Sequence, residues 1–410
     1  MNVPLWTLAA VLLLIAFRRM LGLPLAIWQI MLGGALLVTL THSISLTHAW
    51  QAIDWNVIGF LFGVFVLGQA LVSSGLLYRF SGKLFGRIPS AELLVLAVLL
   101  GSGLISTLLM NDTVAIIGVP LMLALARTHR LPPALLLLAL AFGLTIGSVM
   151  SPIGNPQNLL IAIHGGFTNP FLAFLKTLAL PTLLNLLLTW GVLRIAYWRD
   201  FHGEALLHSV PELHDPQLAR LAAFGLLCMI AIIGVKIILS WSTVHLELPL
   251  WLIALGACAP ILIASPRRVD ILRHIDWYTL IFFLALFVLM QAVWDSGAIQ
   301  AWLPQLVASL RSTSYLLISS ATVSQLISNV PFVALALPLI QSAGAHPEAM
   351  LALAAGSTIA GNLTLVGAAS NIIIVQAAEQ RGEHLGFWRF LAIGAPLTCI
   401  NLGVYWLFLS

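Results

Sequence analysis

The chain has 410 residues, a formal charge of +4, 60% apolar residues and only 8% charged ones. A soluble domain carries about a quarter charged residues, so this composition excludes an ordinary water-soluble protein, a disordered chain and a nucleic-acid binder, and it puts most of the chain in lipid. Eighteen Lys and Arg scattered over the whole length make no basic patch, and Cys228, Cys258 and Cys399 lie in apolar runs without metal-ligand spacing, so no cofactor and no metal is expected.

An apolar helix needs about 20 residues to cross about 30 Å of hydrocarbon. By that ruler the first spans fall near 4–17, 23–40 and 56–77. Met1 to Phe17 lacks the leading positive charge of a secretory signal, which makes it a retained first span. The third span opens on Asp54-Trp55, with Asp54 as cap and Trp55 at the interface. Next come residues 92–126, interrupted by Asn111-Asp112, and 134–163, interrupted by Ser151-Pro152-Ile153-Gly154-Asn155-Pro156. At 1.5 Å per residue either stretch overruns the bilayer as one straight helix, so each must break. A span near 171–194 closes the first half, and 197–217 is a cytoplasmic linker. The second half has spans near 218–240, 248–264, 278–294 and 388–409, with interrupted stretches at 313–341 and 349–375.

The two halves repeat each other. Ile53-Asp54-Trp55 returns as Ile275-Asp276-Trp277, Gln69 as Gln291, Asn111 as Asn329, Thr145 as Thr358, Gly154 as Gly367 and Asn158 as Asn371. Lys and Arg collect on the cytoplasmic side. Arg79, Lys83 and Arg87 follow the Asp-Trp span of the first copy, whereas Arg267, Arg268 and Arg273 precede that of the second, so the copies run in opposite directions. The expected architecture is an all-α polytopic membrane protein of two inverted-topology repeats, with ten transmembrane helices, two re-entrant hairpins (92–126 and 313–341) and two broken helices (134–163 and 349–375). Residues 1–52 and 218–274 supply the helices that precede the repeats at 53–196 and 275–410. That topology leaves all basic residues but Lys176, Lys236 and Arg311 inside and both termini extracytoplasmic.

Backbone without helical hydrogen bonds is tolerated at membrane depth only inside protein or beside a water-filled cavity. The four interruptions therefore mark one candidate chamber. They carry Asn111, Asp112 and Thr113; Ser148, Ser151, Gly154, Asn155 and Asn158; Ser328 and Asn329; and Asn362, Thr364, Gly367, Ser370 and Asn371. Amides and hydroxyls can cap half-helices, freed carbonyls can hold a cation, and half-helix N-termini can hold anionic oxygen. Asp112 is the one carboxylate expected at midplane. Such a group is a functional candidate by default, here for proton coupling, although a sodium ion could neutralise it instead and a cap on the second hairpin arm is the structural alternative. Gln69 and Gln291 are either interhelical glue or part of the path. His164 is expected at the outer surface, and Lys176 and Lys236 are expected to snorkel.

The runs LLMNDTVAIIGVPLML (108–123), SPIGNPQNLLI (151–161), SQLISNVPFVALALPL (324–339) and GNLTLVGAASNIII (361–374) resemble those of the ion transporter superfamily of arsenite permeases, citrate and dicarboxylate carriers and NhaD-type antiporters. The Pro-Ile-Gly-Asn-Pro-Gln-Asn run is most similar to that of bacterial anion permeases. The resemblance implies that hairpin tips and helix breaks form the solute and coupling-ion sites. Tip one reads Met110-Asn111-Asp112-Thr113 and tip two Ser328-Asn329-Val330-Pro331, so the Ser-Asn-Thr signature of sodium-coupled carboxylate carriers is kept only in its asparagines. No Lys or Arg falls in any break, which favours a neutral hydroxylated solute over a multiply charged anion. The reading is a secondary permease in the inner membrane, moving a small inorganic or organic anion or metalloid oxyacid on a proton or sodium gradient. Arsenite or antimonite efflux is the leading expectation, and sodium-coupled dicarboxylate, citrate or sulfate uptake the alternative. A channel is the rival class, and no paired constellation suggests an enzyme. The partners expected are the solute and membrane lipid, with a homodimer compatible with the resemblance and an ATPase subunit expected only for an arsenite pump.

Overall fold

A computed structural model describes residues 2–17, 25–77, 79–80, 88, 90–201, 214–239, 249–298, 300, 309–344 and 346–410. Arg18, Arg19, Lys83, Arg87 and most of the 197–217 linker lie outside the described residues. Within them the chain forms eighteen α-helices. The first nine are α1 (Val3–Phe17), α2 (Ile27–Leu40), α3 (Leu46–Ala52), α4 (Trp55–Ser73), α5 (Ala91–Ser106), α6 (Asn111–Thr128), α7 (Pro133–Ser148), α8 (Pro156–His164) and α9 (Pro170–Ala196). The other nine are α10 (Pro216–Leu239), α11 (Leu250–Ala264), α12 (Arg268–His274), α13 (Trp277–Asp295), α14 (Thr313–Ile327), α15 (Asn329–Ser342), α16 (Pro347–Ile359), α17 (Ala369–Glu379) and α18 (Phe387–Leu409).

The helix starts follow local chemistry. Asp54, Ser90, Asn155, Asn169, Asp276 and Ser312 each accept backbone N–H groups as N-caps. Proline opens α7, α8, α9 and α16, where its missing N–H costs nothing. Five helices, α4, α9, α10, α13 and α18, are each long and apolar enough to cross a membrane. Two short helices were not expected from the sequence. α3 and α12 have seven residues each and lead directly into Asp54-Trp55 and Asp276-Trp277.

Packing pairs the halves in the same helix order. α4 lies on α11 and α13 on α2; α5 lies on α7 and α14 on α16; α6 meets α17 and α15 meets α8; α9 and α18 lie side by side. This correspondence of order begins at α1 and α10, upstream of residues 53 and 275. The core is the crossing of α7 and α16, which are buried from Ala134 to Ser148 and from Ala349 to Ile359. By contrast, α10 turns Phe224, Leu227, Ile230, Val235 and Ile238 outward.

One close approach fixes the α5–α7 crossing. A Cβ at Gly147 would overlap the backbone of Gly103, whereas one at Gly191 would meet open space. Gly147→Val is expected to destabilise the protein by about 1–3 kcal/mol or more through overpacking, with Gly191→Ala nearly neutral. Thermal unfolding of the two variants in detergent checks the contrast.

Candidate functional site

Each helix break leaves carbonyls that need donors. At the first, between α7 and α8, Asn158 supplies them. Its buried amide donates to the carbonyls of Ser148 at 3.1 Å and Ser151 at 3.0 Å, while its own N–H is held by Asn155 Oδ1 at 2.9 Å. The tip between α5 and α6 docks on this break. Asn111 N–H donates to the Gly154 carbonyl at 3.1 Å, the Asn111 amide donates to Ser148 Oγ at 3.1 Å, and Ser151 Oγ donates to the Thr107 carbonyl at 2.6 Å. Gly154 has no room for a side chain, because a Cβ would run into the Ser106 carbonyl.

The second break, between α16 and α17, is satisfied in the same way. Asn371 donates to the Gly361 carbonyl at 2.7 Å, the Gln325 amide donates to the Ala360 carbonyl, and Thr364 Oγ1 donates to Gln325 Oε1 at 3.0 Å. Gly367 sits against the Gln325 amide, and Ser370 is buried. Asn362 donates to Asn401 Oδ1 at 3.2 Å, and Asn401 donates in turn to Asn185 Oδ1 at 3.0 Å. The tip between α14 and α15 is one residue, Ser328, whose φ of 71° is a strained conformation for a residue with a side chain. Asn329 follows it, buried.

All four interruptions reach one cavity of about 430 Å³, lined by Asp112 of α6, Pro156 of α8, Ser328 ahead of α15 and Ala369 of α17. These residues sit at helix N-termini, so four half-helices aim their positive ends at a single space. Asp276, Thr279, Trp28, Tyr278, Ile373 and Gln376 are also on the wall, and among the described residues no Lys, Arg or His lines it. Trp28 and Tyr278 stack with centroids 5.1 Å apart. Six side-chain oxygens in or beside the interrupted segments are buried without a partner: Asn111 Oδ1 and Thr145 Oγ1 in the first half, and Ser324 Oγ, Asn329 Oδ1, Asn362 Oδ1 and Asn371 Oδ1 in the second.

The structure bears on four of these readings. Asp112 does not cap the second hairpin arm. The break lies at 107–110, Met110 is the N-cap residue without a side-chain bond, and Asp112 is the second residue of α6. No salt bridge involves Asp112 among the described residues. Gln69 and Gln291 do not glue helices together, since they bond one turn along their own helices, to Ser73 at 3.1 Å and Asp295 at 2.8 Å. Thr113 points at α4, where a Cβ on Gly68 would be 2.9 Å from its methyl group. His164, expected at the outer surface, is 2.8 Å from Asp54 Oδ2.

Sequence reasoning missed Gln157 and the role of Thr358. The Thr358 hydroxyl takes the Asn155 amide at 3.3 Å and the Gln157 amide at 3.4 Å, and it donates to Asn158 Oδ1 at 3.2 Å, so a second-half residue completes the first-half break. The match of Thr358 with Thr145 is visible in the sequence, but Thr145 has no such partners. Gln325 and Asn401 lie far along the chain from the break they support, and nothing local marks them.

A polytopic helical bundle with a four-ended cavity is the build of a membrane transporter. The chain belongs to the citrate transporter family, whose model matches residues 12–349; it is a secondary permease and a multi-pass membrane protein. Among its relatives are an uncharacterized transporter of Mycobacterium tuberculosis, 26% identical over 91% of this chain and 90% of its own length, and one of Synechocystis, 28% identical over 92% and 91%. The P protein of Homo sapiens is 24% identical over 88% of this chain but 54% of its own length. The fold is similar to the MtrF antimetabolite efflux pump of Neisseria gonorrhoeae (TM-score 0.60, 15% identity, 99% of this chain and 94% of that one) and to the YdaH transporter of Alcanivorax borkumensis (TM-score 0.58, 16% identity, 87% and 84%).

Asn158→Ala removes the side-chain donor of the Ser151 carbonyl, one of the two donors of the Ser148 carbonyl, and the acceptor of the Thr358 hydroxyl. It is expected to destabilise the protein by about 1–3 kcal/mol for each buried group left unsatisfied, and the melting temperature in detergent checks this. Thr358→Val removes the acceptor of the Gln157 amide and the donor to Asn158 Oδ1, and is expected to cost a similar amount.

Proposed function

We propose that this protein moves a small inorganic or organic anion or a metalloid oxyacid across the inner membrane, driven by a proton or sodium gradient. The observation that carries this reading is the convergence of four half-helix N-termini, at Asp112, Pro156, Ser328 and Ala369, on one cavity. Positive helix ends stabilise anionic or hydroxyl oxygen without the desolvation cost of a buried Lys or Arg. Asp112 and Asp276 on the same wall oppose a high negative charge. A neutral oxyacid such as arsenous acid suits that balance, so arsenite or antimonite efflux is the first choice. The description of the family as citrate transporters favours the second reading, proton- or sodium-coupled citrate or dicarboxylate uptake.

Coupling is supported by the six buried oxygens that lack donors, since unpartnered carbonyl and hydroxyl oxygens are the ligands hard cations take. Asp112, with no counter-ion, is the carboxylate that can carry a proton through the cycle. The repeated helix order supports two inverted repeats whose hairpins, 92–126 and 313–341, enter and leave on one side. In that arrangement the halves exchange inward-open and outward-open shapes around a midplane site, and both chain termini lie outside.

A counterflow screen in proteoliposomes tests the function, with arsenite, antimonite, sulfate, phosphate, succinate and citrate, each with and without sodium and with an imposed pH gradient. Uphill movement of one solute is the expected result; flux that no ion gradient can drive uphill would identify a channel. Asp112→Asn is expected to remain folded and to lose gradient-driven accumulation at least tenfold, about 1.4 kcal/mol of coupling, while downhill exchange persists. An unaltered response to pH in that variant would remove Asp112 from the coupling step.

A further inference from the structure

α8 and α15 both begin at the four-ended cavity and both end at a second cavity of about 390 Å³, which Asp54, Leu160, His164, Ala334, Gln291 and Gln341 help to line. At that far end the helices are tied together. His164 Nε2, on the last residue of α8, is 2.8 Å from Asp54 Oδ2, and the His164 carbonyl accepts the Gln341 amide of α15. Asp54 can do this because its other oxygen, Oδ1, caps α4, taking the N–H groups of Asn56 and Val57 at 2.8 and 3.2 Å. Its side chain is only 12% exposed. Burial pushes the Asp54 carboxyl up, but the His164 hydrogen bond and charge, together with the Val57 and Asn56 N–H groups, bring it below the ordinary aspartate range.

Among the described residues, the matching position in the second half has no such tie. Asp276 caps α13 with both oxygens, to Thr279 N at 3.0 Å and to Thr279 Oγ1 at 2.6 Å, and lines the four-ended cavity together with Asp112. In the register that pairs Asn158 with Asn371, His164 falls on Ala377, which cannot pair with a carboxylate. One end of the bundle is therefore fastened across α4, α8 and α15, and its counterpart is not.

We infer that the Asp54–His164 pair, extended by Gln341, is a state-selective latch: it holds the α8 and α15 ends together in the state described here, and it must part for those ends to separate and the four-ended cavity to close. The inference rests on the carrier reading above. A contact made in only one of two states biases their equilibrium by its own differential energy. Asp54→Asn is the clean probe, because asparagine keeps the N-cap and removes the charge.

The experiment measures labelling rates with a membrane-impermeant maleimide in protein whose Cys228, Cys258 and Cys399 are replaced by alanine. One reporter is Ala334→Cys at the latched end, and the other is Ile373→Cys in the four-ended cavity. Asp54→Asn and His164→Ala are expected to speed labelling at 334 and slow it at 373, each by about two- to fivefold, the population change that loss of a partly exposed ion pair produces. His164→Gln, which can still donate to Asp54, should restore most of the original ratio. Unchanged rates at both reporters overturn the latch, and so do rates that rise together, which mark general loosening. Reciprocal labelling in protein that shows no counterflow of any solute upholds the latch and counts against the carrier reading.

Discussion

Lipid offers no hydrogen bonds, and that constraint organises this molecule. Every turn of helix removed at midplane exposes carbonyl and amide groups that must find partners within the protein. The chain interrupts helices at four places and answers each with short polar side chains. Asn158 and Asn371 perform the same task, folding back to feed the carbonyls their own helix has released. The hairpin tip that carries Asn111 fits onto this repaired backbone, so the first break and the first tip share one polar network.

Much of this was legible in the sequence. The ruler of about 20 residues per crossing placed α1, α2, α4, α9, α10, α11, α13 and α18 within a few residues of their observed ends, because lipid imposes length directly on composition. The breaks between α7 and α8 and between α16 and α17 were visible for the same reason. Asp54 and Asp276 were readable as caps, since an acidic residue before an apolar run has few other uses.

What the sequence hid was lateral. For Asp112 the capping alternative stays open until the chain is seen to leave its helix at Thr107, before the polar pair rather than within it. For Gln69 and Gln291 glue and path stay open together, because period alone cannot say whether an amide reaches across or along. The short helices α3 and α12 are too brief for any periodic signal. Thr358 and Asn401 act on residues brought near only by the crossing of the halves, and no local pattern reports a contact across about half the chain.

That crossing also sets an order of events during synthesis. The elbow between α7 and α8 is made early, yet the hydroxyl that Asn155, Gln157 and Asn158 share belongs to residue 358. Until α16 has been inserted, the nascent first half holds amides in the membrane without their final partner, beside helices already packed. A chain truncated after the linker thus lacks the Thr358 hydroxyl that the Gln157 amide and Asn158 Oδ1 share.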